Sequence, residues 1–301
     1  MGLHHAPPPD TSTDEATLRH EIWLVPMAMG GFKAKTSRAR VIWQDSLLSI
    51  SYDRATPTTA VTKWEIASPG PEGFSYADCM LQLCTIALDV VCNRSEKMTL
   101  QWEIMRIEKR REEVREIYRQ SAIHLRESSA CASMKDHLEH WNWHMHRSYV
   151  VSELCRPMLA KRSDRRVDEV RRLRGVCIEA LTDTVEAFLQ LQNLTVVART
   201  SWAAVHRSLS SALLLGIMKE SARDDRIHGL LAKLISVMSS MEYLDVSEVP
   251  APVARAVAAL QQLNDNDTDD HLSTSASDGD SPHQQMHNIL WGADSEFPPL
   301  Y

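Results

Sequence analysis

The chain has 301 residues, 44% hydrophobic and 24% charged, with a formal net charge of −7. That is globular composition, long enough for one large domain or two small ones. The acidic balance, with no Lys or Arg after Arg255, argues against a nucleic-acid groove, which needs clustered cations to neutralise phosphate.

Glycine is scarce, at 10 residues, and β-branched runs are few, which favours helix over sheet. The expected fold is all-α, an irregular multi-helix bundle with disordered termini. The start, Met1–Asp10, lacks a basic stretch followed by an apolar run, and Ala6 stands where a myristoylation signal needs Ser or Thr. No apolar run approaches the ~18 residues that span a bilayer. The expectation is a soluble intracellular protein with no membrane partner. The six cysteines, at 79, 84, 92, 131, 155 and 177, include no C-x2-C pair. Reduced thiols packed as small hydrophobes are expected.

Residues 1–20 are rich in Pro, Ser, Thr and Asp and read as a disordered N-terminus. From 21 to 263 the pattern is helical. Val41–Ser51 places Ile42, Leu47 and Ile50 near helical spacing, beside Trp43. Pro57, Pro69 and Pro71 then mark a connector. Ser75 caps a helix with Met80, Leu83, Ala87 and Val90 or Val91 inward. The next helix starts near Ser95 and carries Leu100, Ile104, Ile107, Val114 and Tyr118. Its charged middle pairs Glu112 with Arg115 and Glu116 with Arg119 at i,i+3. A fourth helix spans about Ser133–Ser152, with Met134, Leu138, Trp141, Met145 and Tyr149 on one face.

The clearest period runs Val167, Val170, Leu173, Cys177, Leu181, Val185, Phe188, Leu191. Ser201–Met218 follows as a helix with almost no polar face, so it belongs at the centre of the bundle. Two more helices are expected at about Asp225–Met241 and Pro252–Leu263. From 264 to 301 the sequence loses its period and reads as an acidic disordered tail. It ends in a short motif of Ile289, Leu290, Trp291, Phe297, Leu300 and Tyr301 among acids. Two readings of that motif stand side by side. It is a partner-binding segment that acids keep solvated, or Ile289–Trp291 folds back as a clasp.

Several groupings carry potential chemistry. His137, His140 and His144 share one helical face, with His146 beyond, and two imidazoles at i,i+4 are zinc-like spacing. No Glu follows His137 or His140 as a zincin needs, so a packed, hydrogen-bonded face is the favoured reading and no metal ligand is assigned. Asp265, Asp267 and Asp269 imitate a calcium loop but lack its glycine and its final Glu. Lys161–Arg166 with Arg171, Arg172 and Arg174 forms a basic run that is read first as a solvated helix start and second as a nuclear import signal. Trp141, Trp143 and Trp202 are candidates to line an apolar pocket, with core packing as the competing use. No nucleophile motif, phosphate loop or dinucleotide fingerprint occurs. No catalytic or cofactor-binding residue is assigned, and the chain is expected not to be an enzyme.

Taken in order, Trp43–Arg54 resembles the end of the middle homology region of fungal binuclear zinc-cluster transcription factors. Phe74–Met80, Cys131–His140, His146–Pro157 and Ser201–Gly216 resemble the all-helical regulatory region downstream of it, and Ile289–Gly292 resembles a short C-terminal motif. The likeness covers roughly 30–292. The family's zinc cluster, C-x2-C-x6-C with three further cysteines, has no counterpart among the six cysteines here. The resemblance therefore implies a regulatory domain without its own DNA reader, from a truncated or diverged member of the family. It implies transcriptional regulators or coactivators as partners and no direct DNA binding. It implies a nuclear location, or a cytoplasmic one if no import signal operates. The alternative is an intracellular helical module that senses a small-molecule effector without catalysis.

Overall fold

A computed structural model describes Trp43, Ser46, Ser49 and Ile50, and residues 68–92, 98–160, 167–195, 198, 201–218, 224–240, 251–266 and 282–291. The described residues are all-α and hold no strand, only isolated bridges from Gly70 to Gly73 and from Phe74 to Ser121. The expected disordered N-terminus, residues 1–20, lies outside them. The helices are α1 (Tyr76–Cys92), α2 (Leu100–Gln120), α3 (Ile123–Arg126), α4 (Met134–Cys155), α5 (Pro157–Ala160) and α6 (Val167–Leu194). They continue with α7 (Trp202–Ile217), α8 (Asp225–Ser239), α9 (Ala251–Asn266) and α10 (Pro282–Trp291). Trp43, Ser46, Ser49 and Ile50 are helical and buried upstream of α1.

Local chemistry sets the helix starts. Ser75 accepts from the backbone N–H of Asp78 at 3.3 Å and caps α1. Ser133 and Asp136 form a reciprocal capping box at α4, and Asp224 accepts from Arg226 and Ile227 at α8. α2 begins at Leu100, later than the expected Ser95, because Thr99 takes the capping position. On its outer face Glu112 pairs with Arg115 at 3.0 Å and Glu116 with Arg119 at 2.5 Å, as the spacing requires.

Two apolar cores form. One joins α6, α7, α8, α9 and α10, with Ile104 and Ile107 of α2 and Leu138, Met145 and Cys155 of α4. The other joins Trp43, Ile50, α1, the far half of α2 and α3 to Trp143, Tyr149, Val150 and Leu154 of α4. α4 is thus the wall between them. The single stripe expected on α4 does not hold. Tyr149 turns into the second core, Met134 is 48% exposed, and Trp143, which that stripe omitted, is wholly buried. A helix with a core on each side has no single apolar face.

α7 is buried at every residue from Ala204 to Leu215. It lies against α6, α9 and α10. Two of its hydroxyls are accommodated because they close on its own backbone: Ser208 donates to Val205 O at 2.9 Å, and Ser210 to His206 O at 2.7 Å. Close approach is permitted at Gly216, where a Cβ would stand 3.1 Å from Leu263.

The helical body extends past the expected boundary at 263. α9 runs to Asn266, and α10 packs Met286 and Leu290 against α7 and α9 within the expected acidic disordered tail, where a fold-back of Ile289–Trp291 is the other reading. Met286, Ile289 and Leu290 fall at i, i+3 and i+4, and Pro282 is placed where its missing N–H costs nothing. Arg255 donates to the Leu290 carbonyl at 2.8 Å, satisfying one of the last acceptors of α10.

Gly73 has φ of +94°, and a Cβ there would stand 2.6 Å from Gln120 O and 2.9 Å from Ser121. Phe74 beside it donates to Gln120 O at 2.8 Å, and Ala122 returns a bond to Phe74 O at 2.9 Å. Gly73→Ala therefore loses about 2–4 kcal/mol through strain plus collision. Gly175, exposed in the middle of α6 with open space where a Cβ would go, gives the opposite sign. Gly175→Ala gains about 0.5–1 kcal/mol. Urea midpoints of the two variants check both signs.

Candidate functional site at the seam of the two cores

Where α4 meets α7, the packing encloses a charge. Arg207 of α7 is 0% exposed. Its Nη1 lies 2.8 Å from His146 Nδ1, and its guanidinium stands 5.3 Å from the centre of the Tyr149 ring. A guanidinium only donates, so Nδ1 accepts and the proton of neutral His146 sits on Nε2. Among the described residues Nη2 has no acceptor, and the Ser211 hydroxyl one turn along α7 has no partner. Tyr76 and Cys84 of α1 and Tyr149 of α4 are the groups whose charge would act on Arg207.

Among the described residues no carboxylate forms an ion pair with Arg207. The buried carboxylate of α4, Glu153, is bound at 2.8 Å by Arg156. Burial pulls the Arg207 guanidinium down from its ordinary value, yet an arginine stays charged at neutral pH. Burial raises Tyr76 and Tyr149 and lifts Cys84 to about 11, so these neighbours stay neutral. Burial first, and Arg207 second, hold His146 well below its usual range and His206 at about 4.

The histidine row on α4 divides. His140 and His144 do come together, with ring centres 4.4 Å apart, but His146 turns away to Arg207. His140 Nδ1 is 2.8 Å from the His124 carbonyl, which ties α3 to α4. His124 Nε2 is 3.1 Å from Glu139. Burial, then Arg147, then His140 depress His144 to about 3. The Arg147 guanidinium sits over the Tyr118 ring at 4.3 Å, and a fixed cation beside the pair repels a divalent ion. No three His, Cys, Asp or Glu side chains converge as metal ligands among the described residues.

Of the tryptophans proposed to line a pocket, Trp143 is wholly buried in the second core. Trp141 is partly buried and edge-on to His140 at 4.7 Å. The side chain of Trp202 lies outside the description. A cavity of about 30 Å³, room for one water, opens instead between α1, α2 and α4, lined by Asp89, Met98, Arg106, Arg110, Glu153 and Pro157.

In the tail motif, Leu290 is 2% exposed and Ile289 partly buried against the first core. The side chain of Trp291, and all of Phe297, Leu300 and Tyr301, lie outside the described residues. Of the basic run, 161–166 also lies outside; Arg171 pairs with Asp168 at 3.1 Å and Arg172 with Glu108 at 2.5 Å. All six cysteines are free thiols. Burial raises Cys79 and Cys155 to about 12, which keeps both protonated.

Sequence reasoning missed Arg207. The available signal was a contradiction: a helix judged too apolar to have a solvent face contains an arginine, so that arginine has to lie inside.

The buried histidines make the fold sensitive to acid. His146 and His206 stay neutral when folded, whereas the unfolded chain takes up protons below about 6.5. Their folded values are depressed, so stability falls as pH drops below 6.5. The slope approaches ~1.4 kcal/mol per pH unit for each such histidine. Urea midpoints between pH 6.5 and 5 are therefore expected to decline steadily; an unchanged midpoint there is incompatible with neutral buried imidazoles.

No family model matches the chain, and neither does any curated protein or solved structure.

Proposed function

We propose that the chain is a transcription-factor regulatory domain of the fungal zinc-cluster kind, acting through protein contacts and without its own DNA reader. One observation carries this reading. Four of the segments that resemble the family one by one in the sequence pack against one another in pairs. Trp43 of the first packs against Tyr76 of the second, with ring centres 5.8 Å apart. His146 and Tyr149 of the fourth reach Arg207 of the fifth. Residues far apart in the chain thus act as one architectural set, as expected if the ordered likeness reflects a shared fold.

Surface chemistry supports work by contact. Trp102 and Met105 on α2 are 64% and 52% exposed, one turn apart, with Met98 preceding them at 36%. Exposed tryptophan is a common anchor of protein interfaces. The proposed partners are transcriptional regulators or coactivators, and the proposed location is the nucleus. A second reading, an effector-sensing module, is favoured by the unmatched buried donors around Arg207.

Because Leu290 belongs to the core, a deletion from 264 onward would damage the fold as well as the tail. The cleaner test fuses the full chain to a foreign DNA-binding domain and replaces Phe297, Leu300 and Tyr301 together by Ala. The intact fusion is expected to activate a reporter and the triple variant to lose most of that activation, with unchanged thermal stability. Equal activation by both removes the tail from the proposal; no activation by the intact fusion counts against the transcriptional reading.

A further inference from the structure

Two buried donors on one face of α7, Arg207 Nη2 and the Ser211 hydroxyl, lack an acceptor among the described residues. Nη1 is committed to His146, and Nη2 is buried with no acceptor for its protons among the described residues. Ser211, four residues on and so on the same face of α7, keeps a buried hydroxyl with no partner among the described residues. Buried polar groups in proteins almost always find partners, and a buried cation costs much more than a neutral group when it does not. Tyr76, Cys84 and Tyr149 cannot serve as counter-ions, since burial keeps all three protonated.

We propose that the seam between α1, α4 and α7 binds a small carboxylate ligand, whose oxygen accepts from Arg207 Nη2 and from the Ser211 hydroxyl. A monovalent anion cancels the single guanidinium charge, whereas a dianion would leave a net negative charge in the same low-dielectric space. A carboxylate also matches a planar guanidinium better than a spherical ion does. The site deepens the effector-sensing reading by giving the effector its chemical class. It rests on side chains alone and holds whether or not the chain acts in transcription.

The test is thermal unfolding of the full chain at pH 7.5 and constant ionic strength, titrating sodium acetate against sodium chloride, with inorganic phosphate as a separate arm. Acetate is expected to raise the midpoint saturably, and more than phosphate does. Ser211→Ala is expected to weaken the apparent acetate affinity by about threefold to tenfold, and Arg207→Met to abolish it, as loss of a charge-assisted bond implies. Failure of wild type to respond to acetate overturns the proposal, and so does an equal response in Arg207→Met. A phosphate response matching that of acetate overturns the carboxylate assignment. Should Arg207→Met fail to fold, the wild-type titrations and Ser211→Ala decide alone, an unaltered affinity in Ser211→Ala counting against the site. The reporter result is independent of this one, so either idea can fail by itself.

Discussion

The architecture depends on one constraint: α7 has no side facing water, and whatever it carries must be satisfied inside. For its leucines and alanines this is ordinary burial. For Ser208 and Ser210 the solution is local, since both hydroxyls bond to carbonyls of their own helix; the Ser211 hydroxyl has no partner among the described residues. Arg207 has no such local solution. Its guanidinium is held by His146 and faced by the Tyr149 ring. An imidazole acceptor and an aromatic face recover part of the lost hydration, though neither supplies a negative charge.

That constraint explains the division of labour on α4. The helix gives Leu138, Met145 and Cys155 to one core and Trp143, Tyr149, Val150 and Leu154 to the other. His146 and Tyr149, three residues apart on α4, reach Arg207 of α7. The remaining surface, with His140, His144 and Arg147, meets α3 and Tyr118 through hydrogen bonds and ring contacts. Polar groups on α4 thus join elements at the edges of the cores, and its aliphatic groups fill the cores themselves.

Much of this frame was legible in the sequence. The stripe on α6 was readable because one long face is buried: Val170, Leu173, Cys177, Leu181, Val185, Phe188 and Leu191 all lie inside. The central position of α7 followed from its lack of a polar face. α4 was less legible because two buried faces blur a 3.6-residue period. α10 was legible only as the clasp alternative for Ile289–Trp291, because the acidic stretch before it sets the average character of the tail, while Met286, Ile289 and Leu290 keep helical spacing within only ten residues. The seam itself was out of reach of periodicity, since it joins residues 61 positions apart, as His146 and Arg207 are.

The identity of the buried cation bears on what the seam can do. A lysine at 207 could respond to burial by losing its proton, and the interior would become neutral at modest cost. Arginine has no such escape at physiological pH, so its positive charge is permanent and acts on Tyr76, Cys84, His146, Tyr149 and His206 together. His146 cannot share that charge, because protonation would set two cations 2.8 Å apart; it has to remain an acceptor. The charge at the seam therefore changes only if something arrives from outside the described side chains. Because Arg207 touches His146 and Tyr149 of the wall shared by both cores, such an arrival would be felt on both sides of α4 at once.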